Sequence, residues 1–385
     1  MNTPVPVRHV RWISSALLPV ANLVFAMIAT GGVVLLLYWG QFQNGTISAD
    51  QYWRIPGRAA EFLWTGAFGD LRSVSYTLFY ATDFIFAGLA VAVAAHAGLF
   101  NIGGEGQAYV AGLAATVVCL KLGFLPGWIL IPLAIIAAAA AGAGWALIPA
   151  YLQASRGSNM VITTIMFNFI ASALVTYFLV HVLIVPGHMS PESARFTENA
   201  RLPTLSSVAA LVGVPLKRAP LNIAFLLACL CSVAMWLLIW RTRWGYAFRT
   251  VGFSVRAARY AGISTSSVFI SAMCLSGALA GLIAINQVLG AQHRLVLNFV
   301  AGAGLVGVAV SLMGRHHPIG VFLASLLFGA LYQGGMMLSF QLPEITRDMT
   351  VVIQGLIILF TGAFDNVLRA PIERMALSVI ARFHQ

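Results

Sequence analysis

Few side chains in this sequence can do chemistry, and those that can stand singly inside apolar stretches. Asp83 is the one acid well inside such a stretch, and Asn168 and Gln354 are large amides inside two others. Glu105 lies in Leu99-Phe100-Asn101-Ile102-Gly103-Gly104-Glu105-Gly106-Gln107, where three glycines fall within four residues. An ionisable or amide group in an apolar run is costly to bury and marks a site or an aqueous path by default. Asp83 therefore lines a path, or sits one or two turns from the surface where its carboxylate reaches water. The glycine-rich run cannot sustain a regular helix, so the helix restarting near Gly106 turns its positive end toward whatever fills the break. Glu105 is then an anchor for local backbone N–H groups or a contact for a solute.

The remaining candidates exclude more than they offer. His96, His181 and the pair His316-His317 fall at the ends of apolar runs, where interfacial packing explains them. No HExxH occurs and the histidine pair lacks ligand spacing, so no metal site is expected. Cys119, Cys229, Cys231 and Cys274 lie within apolar runs and read as small buried residues. The two lysines, Lys121 and Lys217, do not close a G-x-x-x-x-G-K-[ST] loop, so this chain does not bind ATP in the P-loop manner. With no cluster of acid, base and nucleophile, no enzyme is expected.

The elements that position these residues are membrane helices. Of 385 residues 60% are hydrophobic and 9% charged, against roughly 25% charged in a soluble domain. Apolar runs of about 20 residues recur between short polar turns, the length that crosses a bilayer as a helix. Ten are read: Ile13–Trp39, Tyr76–Gly98, Gly104–Leu122, Gly127–Leu152, Asn159–Leu183, Leu221–Trp240, Ser264–Val288, Val300–Met313, Pro318–Leu338 and Met349–Leu368. The first is too long for a signal-peptide core of roughly 7–15 residues and stays as a span. Residues 1–385 then form one transmembrane domain, with longer external loops at Gln41–Ser75 and Ile184–Pro220. The net charge of +11 gathers at span ends rather than on a soluble face, which reads as orientation and not as nucleic-acid binding. Arg241, Arg243, Arg249, Arg256 and Arg259, with Arg8, Arg11, Arg369, Arg374 and Arg382, put both termini in the cytoplasm by the positive-inside rule.

Ten spans divide into halves 1–183 and 184–385 that enter from opposite faces, so a repeat between them is inverted. Thr164, Asn168, Ser172 and Thr176 recur every four residues in the fifth span, and Thr350, Gln354 and Thr361 fall near one face of the tenth. Such stripes face protein or a water-filled cavity, either bonding helix to helix or lining a path. Gly277 and Gly281, and the glycines from Gly302 to Gly314, let helices approach closely and need no ligand. The basic segment 241–263 carries no acid and includes Trp244, Tyr246, Phe248 and Tyr260. Ser254 caps a short helix through Val255 to Ala261, and this surface can dock into a partner's groove or touch anionic lipid.

Four runs in order resemble the permease subunits of the simple-sugar and nucleoside branch of ATP-binding-cassette importers. They are Asn101 to Gln107; Gly157-Ser158-Asn159-Met160-Val161-Ile162-Thr163-Thr164-Ile165-Met166-Phe167-Asn168-Phe169-Ile170-Ala171; Ala257-Ala258-Arg259-Tyr260-Ala261-Gly262-Ile263; and Gly307 to Arg315 with Pro318. The similarity spans roughly Leu63 to Leu368. It implies ten helices in two inverted five-helix halves, similar to vitamin B12-type importer permeases, in a bacterial inner membrane. It also implies as partners an ATPase that uses ATP and magnesium, a second permease of the same or a related chain, and an extracytoplasmic binding protein, with no cofactor in this chain. Nucleosides are common cargo in this branch. Two departures stand out: Met160 where relatives carry Glu, and Ser254-Val255 where they carry Asn-Pro.

The resulting expectation is a permease working by alternating access, with Asp83, Asn101, Glu105, Thr164, Asn168, Thr350 and Gln354 on the pathway. Arg249, Arg256, Ala257, Ala258, Arg259, Tyr260 and Gly262 would contact the ATPase, the resemblance placing Ala257 to Gly262 in a coupling helix. A sugar or a purine base is the alternative cargo. An ion-coupled transporter would need more intramembrane carboxylates than Asp83, and a lipid-modifying enzyme would need a catalytic cluster.

Overall fold

The computed structural model describes residues 28, 31–187, 190–205, 220–342, 349, 351–352 and 355–356. Where water is excluded the backbone must bond to itself, and a helix does so within one segment. The helices in chain order are α1 (residues 31–43), α2 (Ala49–Phe68), α3 (Leu71–His96), α4 (Gly104–Lys121), α5 (Gly127–Arg156) and α6 (Met160–His181). There follow α7 (Ala224–Arg241), α8 (Arg243–Phe253), α9 (Val255–Tyr260), α10 (Thr265–Gly281), α11 (Ala303–Met313) and α12 (Pro318–Gln341). A π-helical turn, Ile285–Gln292, prolongs α10. Isolated bridges are the sole extended pairings among the described residues. Among the described residues six helices are long and apolar enough to cross a membrane: α3, α5, α6, α7, α10 with its π-helical prolongation, and α12. The protein is thus a polytopic, all-α membrane protein.

Two expectations meet a different geometry. The stretch Gln41–Ser75, read as an external loop, contains the 20-residue helix α2. Ser48 opens it with a capping box, accepting from Gln51 N while the Gln51 side chain accepts from Ser48 N. Tyr52, Ile55 and Ala59 fall on its buried face, while Asp50, Arg54 and Arg58 are outside. A half-polar helix of this kind carries a 3.6-residue period without a continuous apolar run, which is why a search for apolar runs passes over it. The run Val300–Met313 gives only the 11 residues of α11, because residues 293–302 are irregular.

The chain forms two compact units, Met1–Gly69 with Leu331–Gln385, and Asp70–Ala330. In the first, Val34, Tyr38, Tyr52, Ile55, Ala59 and Leu338 make one apolar cluster. The Tyr52 hydroxyl donates to Leu35 O at 2.9 Å, and its ring stacks on Phe42 at 4.7 Å.

In the second unit α3 is the central post. Asp70 caps it, accepting from Ser73 N at 2.6 Å, and almost every side chain from Phe79 to Ala94 is buried. A helix apolar on all sides is stable only when surrounded, and α3 packs on α7, α10 and α11. Gly307 admits Ala87 of α3, and Gly88 admits Val310 and Val321. The tightest pair is α5 with α10: Gly142 and Gly277 lie backbone to backbone, so that a side chain on either would run into the other's carbonyl. Gly281 abuts Ala138 in the same seam, a close approach of the kind small residues permit.

Candidate functional site

The site is built where two helices are interrupted. After α3 the chain turns at Gly98 (φ 74°), which packs on Gly252 of α8, and runs irregularly to Gly103 before α4 starts. After the π-helical turn it runs irregularly again, through positive φ at His293, Asn298, Ala301 and Gly302, before α11 starts. Irregular backbone in such a protein must be satisfied by protein or water. Here side chains singled out by sequence do it.

Asn101 is 1% exposed. Its Nδ2 donates to Gln107 Oε1 at 3.0 Å and to Ser276 Oγ at 2.8 Å, and its Oδ1 accepts from Gly103 N at 2.8 Å. The Ser276 hydroxyl donates in turn to Ala90 O at 2.5 Å, so the first break is tied to α10 and α3. Asn168, on α6, straddles the same break: its Oδ1 accepts from Gly106 N at 2.8 Å and its Nδ2 donates to Ile102 O at 2.9 Å. Thr164, one turn earlier, packs on Gly103 and returns its hydroxyl to Met160 O at 2.9 Å. Further along α6, Ser172 and Thr176 are exposed.

Glu105 joins the two breaks. Its Oε1 accepts from Gly302 N and its Oε2 from Gly304 N, each at 2.9 Å. A carboxylate from the first turn of α4 thereby caps α11, almost two hundred residues away in sequence. Gly304 lies directly on the backbone of Glu105, so the positive ends of both helices meet around one negative charge, which offsets their like dipoles. The Tyr109 hydroxyl donates to Asn298 Oδ1 at 2.8 Å, and the Phe299 ring stands edge-on to Tyr109 and fills the space opposite Gly112.

Asp83 belongs to a separate network. It is 2% exposed on α3 and accepts from Asn286 Nδ2 at 2.9 Å and Gln287 Nε2 at 2.6 Å, both in the π-helical turn. Asn286 Oδ1 accepts from Asn222 Nδ2 at 2.9 Å, and Asn222 Oδ1 accepts from Ala224 N at the start of α7. The π-helical winding, frequent at functional sites, brings two successive amides to one carboxylate.

The segment 241–263 forms α8 and α9. Ser254 caps α9 by accepting from Ala257 N at 3.3 Å. Phe248, Val251 and Ala258 are buried, and Gly252 nests against the His96 carbonyl. Arg249, Arg256, Ala257, Arg259, Tyr260 and Gly262 face outward. Phe253 at 93% and Tyr260 at 95% are almost fully exposed, which an isolated chain in water does not favour and a partner's groove would relieve.

Asn101, Glu105, Thr164 and Asn168 are therefore brought together, Asp83 stands apart from them, and the segment 241–263 presents a surface. Thr350 and Gln354 lie outside the described residues. Sequence reading missed Ser276, Asn286, Gln287, Tyr109 and Asn298; Asn286-Gln287, an amide pair inside an apolar run, was the available signal. Among the described residues no cluster of side chains could hold a metal ion.

Residues 73–362 match the family described as the branched-chain amino acid transport system / permease component. The chain is 35% identical to a glucose ABC transporter permease protein of Haloferax volcanii, over 88% of this chain and 84% of the relative. It is 35% identical to a guanosine ABC transporter permease protein of Bacillus subtilis, over 78% and 84%. A nucleoside ABC transporter permease protein of Lactococcus lactis is 33% identical, over 76% and 81%. Each of these organisms has a second, more distant relative, at 26%, 26% and 25% identity respectively. No solved structure matches.

Proposed function

The chain belongs to the family of branched-chain amino acid transport system permease components, and on that premise we propose that its cargo is a nucleoside. It is the membrane subunit of an ATP-binding-cassette importer, and ATP is hydrolysed by a separate subunit. The observation that carries the cargo is the pair of bacterial relatives, one named for guanosine and one for nucleosides. The relative named for glucose is equally similar, which keeps a simple sugar as the second reading and leaves a purine base a distant third. An ion-coupled or lipid-modifying protein no longer fits, given the family.

In this reading the chain is one permease domain of ten spans in two inverted halves, 1–183 and 184–385, similar to vitamin B12-type permeases, with both termini cytoplasmic. In support, two interrupted segments in corresponding places each restart a helix, α4 and α11, at a shared point. Such breaks in corresponding places of two halves are where inverted-repeat transporters bind their solutes. The pathway residues are Asp83, Asn101, Glu105, Thr164, Asn168, Thr350 and Gln354. Asn101, Glu105 and Asp83 already spend their bonding capacity on the protein, so cargo reaches them only by exchanging partners. Asn168 joins α6 to the break, and a tilt of α6 therefore changes how the start of α4 is held.

The partners are an ATPase with its ATP and magnesium, an extracytoplasmic binding protein and a second permease. The paired relatives in three organisms favour a second permease that is a different chain. Arg249, Arg256, Arg259 and Tyr260, with Ala257, Ala258 and Gly262 shaping the turn, form the ATPase contact, and ATP-driven closure biases the permease through differential contact with its two states. The test reconstitutes the complete transporter and measures ATP hydrolysis with binding protein carrying guanosine or glucose. Stimulation by guanosine is expected. Stimulation by glucose alone overturns the nucleoside reading.

A further inference from the structure

At the end of α7 remote from α8 lies an open cleft of about 560 Å³, lined by Trp128, Ile131 and Pro132 of α5, Ile223, Glu198 and Arg201. Its polar wall is divided in charge. Arg201 donates from Nη2 to Phe196 O at 3.4 Å, while its buried Nε has no partner. Glu198 is exposed, and among the described residues its carboxylate has neither a hydrogen bond nor an ion pair. The two occupy neighbouring positions on one short turn and line one cleft without pairing, an arrangement that suits a ligand carrying both signs of charge. Beside them α5 starts at Pro126 with no side-chain cap, leaving first-turn N–H groups that favour an anion.

The other wall is apolar and long. From the cleft α5 exposes every fourth residue from Trp128 to Ile148, and α7 exposes Leu226, Leu230 and Leu237. The α5 stripe runs about 30 Å at 1.5 Å per residue, the thickness of a bilayer's hydrocarbon. Trp128 is 78% exposed at its head, where an indole sits at a membrane–water interface.

We propose that this cleft binds a glycerophospholipid whose headgroup carries a primary ammonium beside its phosphodiester. The phosphate meets Arg201 and the start of α5, the ammonium donates to Glu198, and the acyl chains follow the α5 and α7 stripes. A free headgroup lacks the apolar contacts, and an anionic lipid lacks the partner for Glu198.

The test titrates the purified full-length chain with phosphatidylethanolamine, phosphatidylcholine and phosphatidylglycerol of identical acyl chains, counting retained lipid by native mass spectrometry. Phosphatidylethanolamine is expected to be retained about fivefold or more over the other two, the worth of a partly exposed charge-assisted hydrogen bond. Glu198→Gln, at an exposed and unpaired position, should abolish that preference without lowering thermal stability. Arg201→Gln should weaken retention of all three lipids. Equal retention by the unaltered chain, a preference that survives Glu198→Gln, or displacement by water-soluble glycerophosphoethanolamine would each overturn the assignment.

Discussion

Asn168→Leu is the sharpest test of how the first break is held. Leucine keeps the branching at Cγ and belongs in a membrane helix, so helix propensity does not suffer; it is larger than asparagine, so overpacking against the start of α4 adds to the loss. What is lost is the pair of bonds to Gly106 N and Ile102 O, at 2.8 and 2.9 Å. Single interhelical hydrogen bonds in membrane proteins are worth roughly 0.6–1.7 kcal/mol, so two amount to roughly 1–3 kcal/mol. The measurement is the unfolding midpoint of the detergent-purified chain, with uptake normalised to folded protein in the reconstituted transporter. Asn168→Asp separates the two bonds: its carboxylate still accepts from Gly106 N at a positive helix end but repels the Ile102 carbonyl, so it should fall between wild type and leucine. Unchanged stability and uptake in Asn168→Leu refute the clamp. A lower midpoint with unchanged uptake leaves the clamp standing and removes Asn168 from the pathway.

Glu105→Gln keeps one acceptor oxygen and turns an amide toward Gly302 N or Gly304 N; a loss of about 1–3 kcal/mol is expected from the unpaired donor, read by thermal denaturation. Asp83→Leu strands the Asn286 and Gln287 amides and should cost about 2–5 kcal/mol, with Asp83→Asn recovering part of it. Tyr260→Ala removes a side chain that touches little of its own chain, so stability should shift by less than about 0.5 kcal/mol while co-purification of the ATPase falls. Burial holds the His316 imidazole below its ordinary value of 6.5. The unfolded chain then takes up the proton first, so stability should fall as pH drops below 6.5. His316→Asn, which tolerates the φ of 56° there, should flatten that part of the pH profile.

The sequence carried the helix class and most polar anchor points, because Asn101, Glu105 and Asn168 stand out against their apolar neighbours. It could not show what they hold. Glu105 reads as an anchor for its own turn or a contact for a solute, whereas its partners in the structure are Gly302 and Gly304; a tertiary bond leaves no mark in local spacing. The helix α2 is hidden in the sequence because its buried residues recur at a helical period and never form a continuous apolar run. The π-helical turn was equally illegible: Asn286 and Gln287 are adjacent, and only its wider winding brings both amides to Asp83. The extent of α11 depends on where the irregular chain before it ends, which Glu105 fixes from a distance.

The α5–α10 seam has a mechanical corollary. Interfaces made of side chains can slip, trading one rotamer for another as they go. Where Gly142 and Gly277 touch peptide to peptide, nothing is available to trade, and any slide drives one helix's carbonyls into its neighbour. These two helices are locked to one another, and relative movement within their unit is left to looser joints, such as the sparsely covered flank of α6.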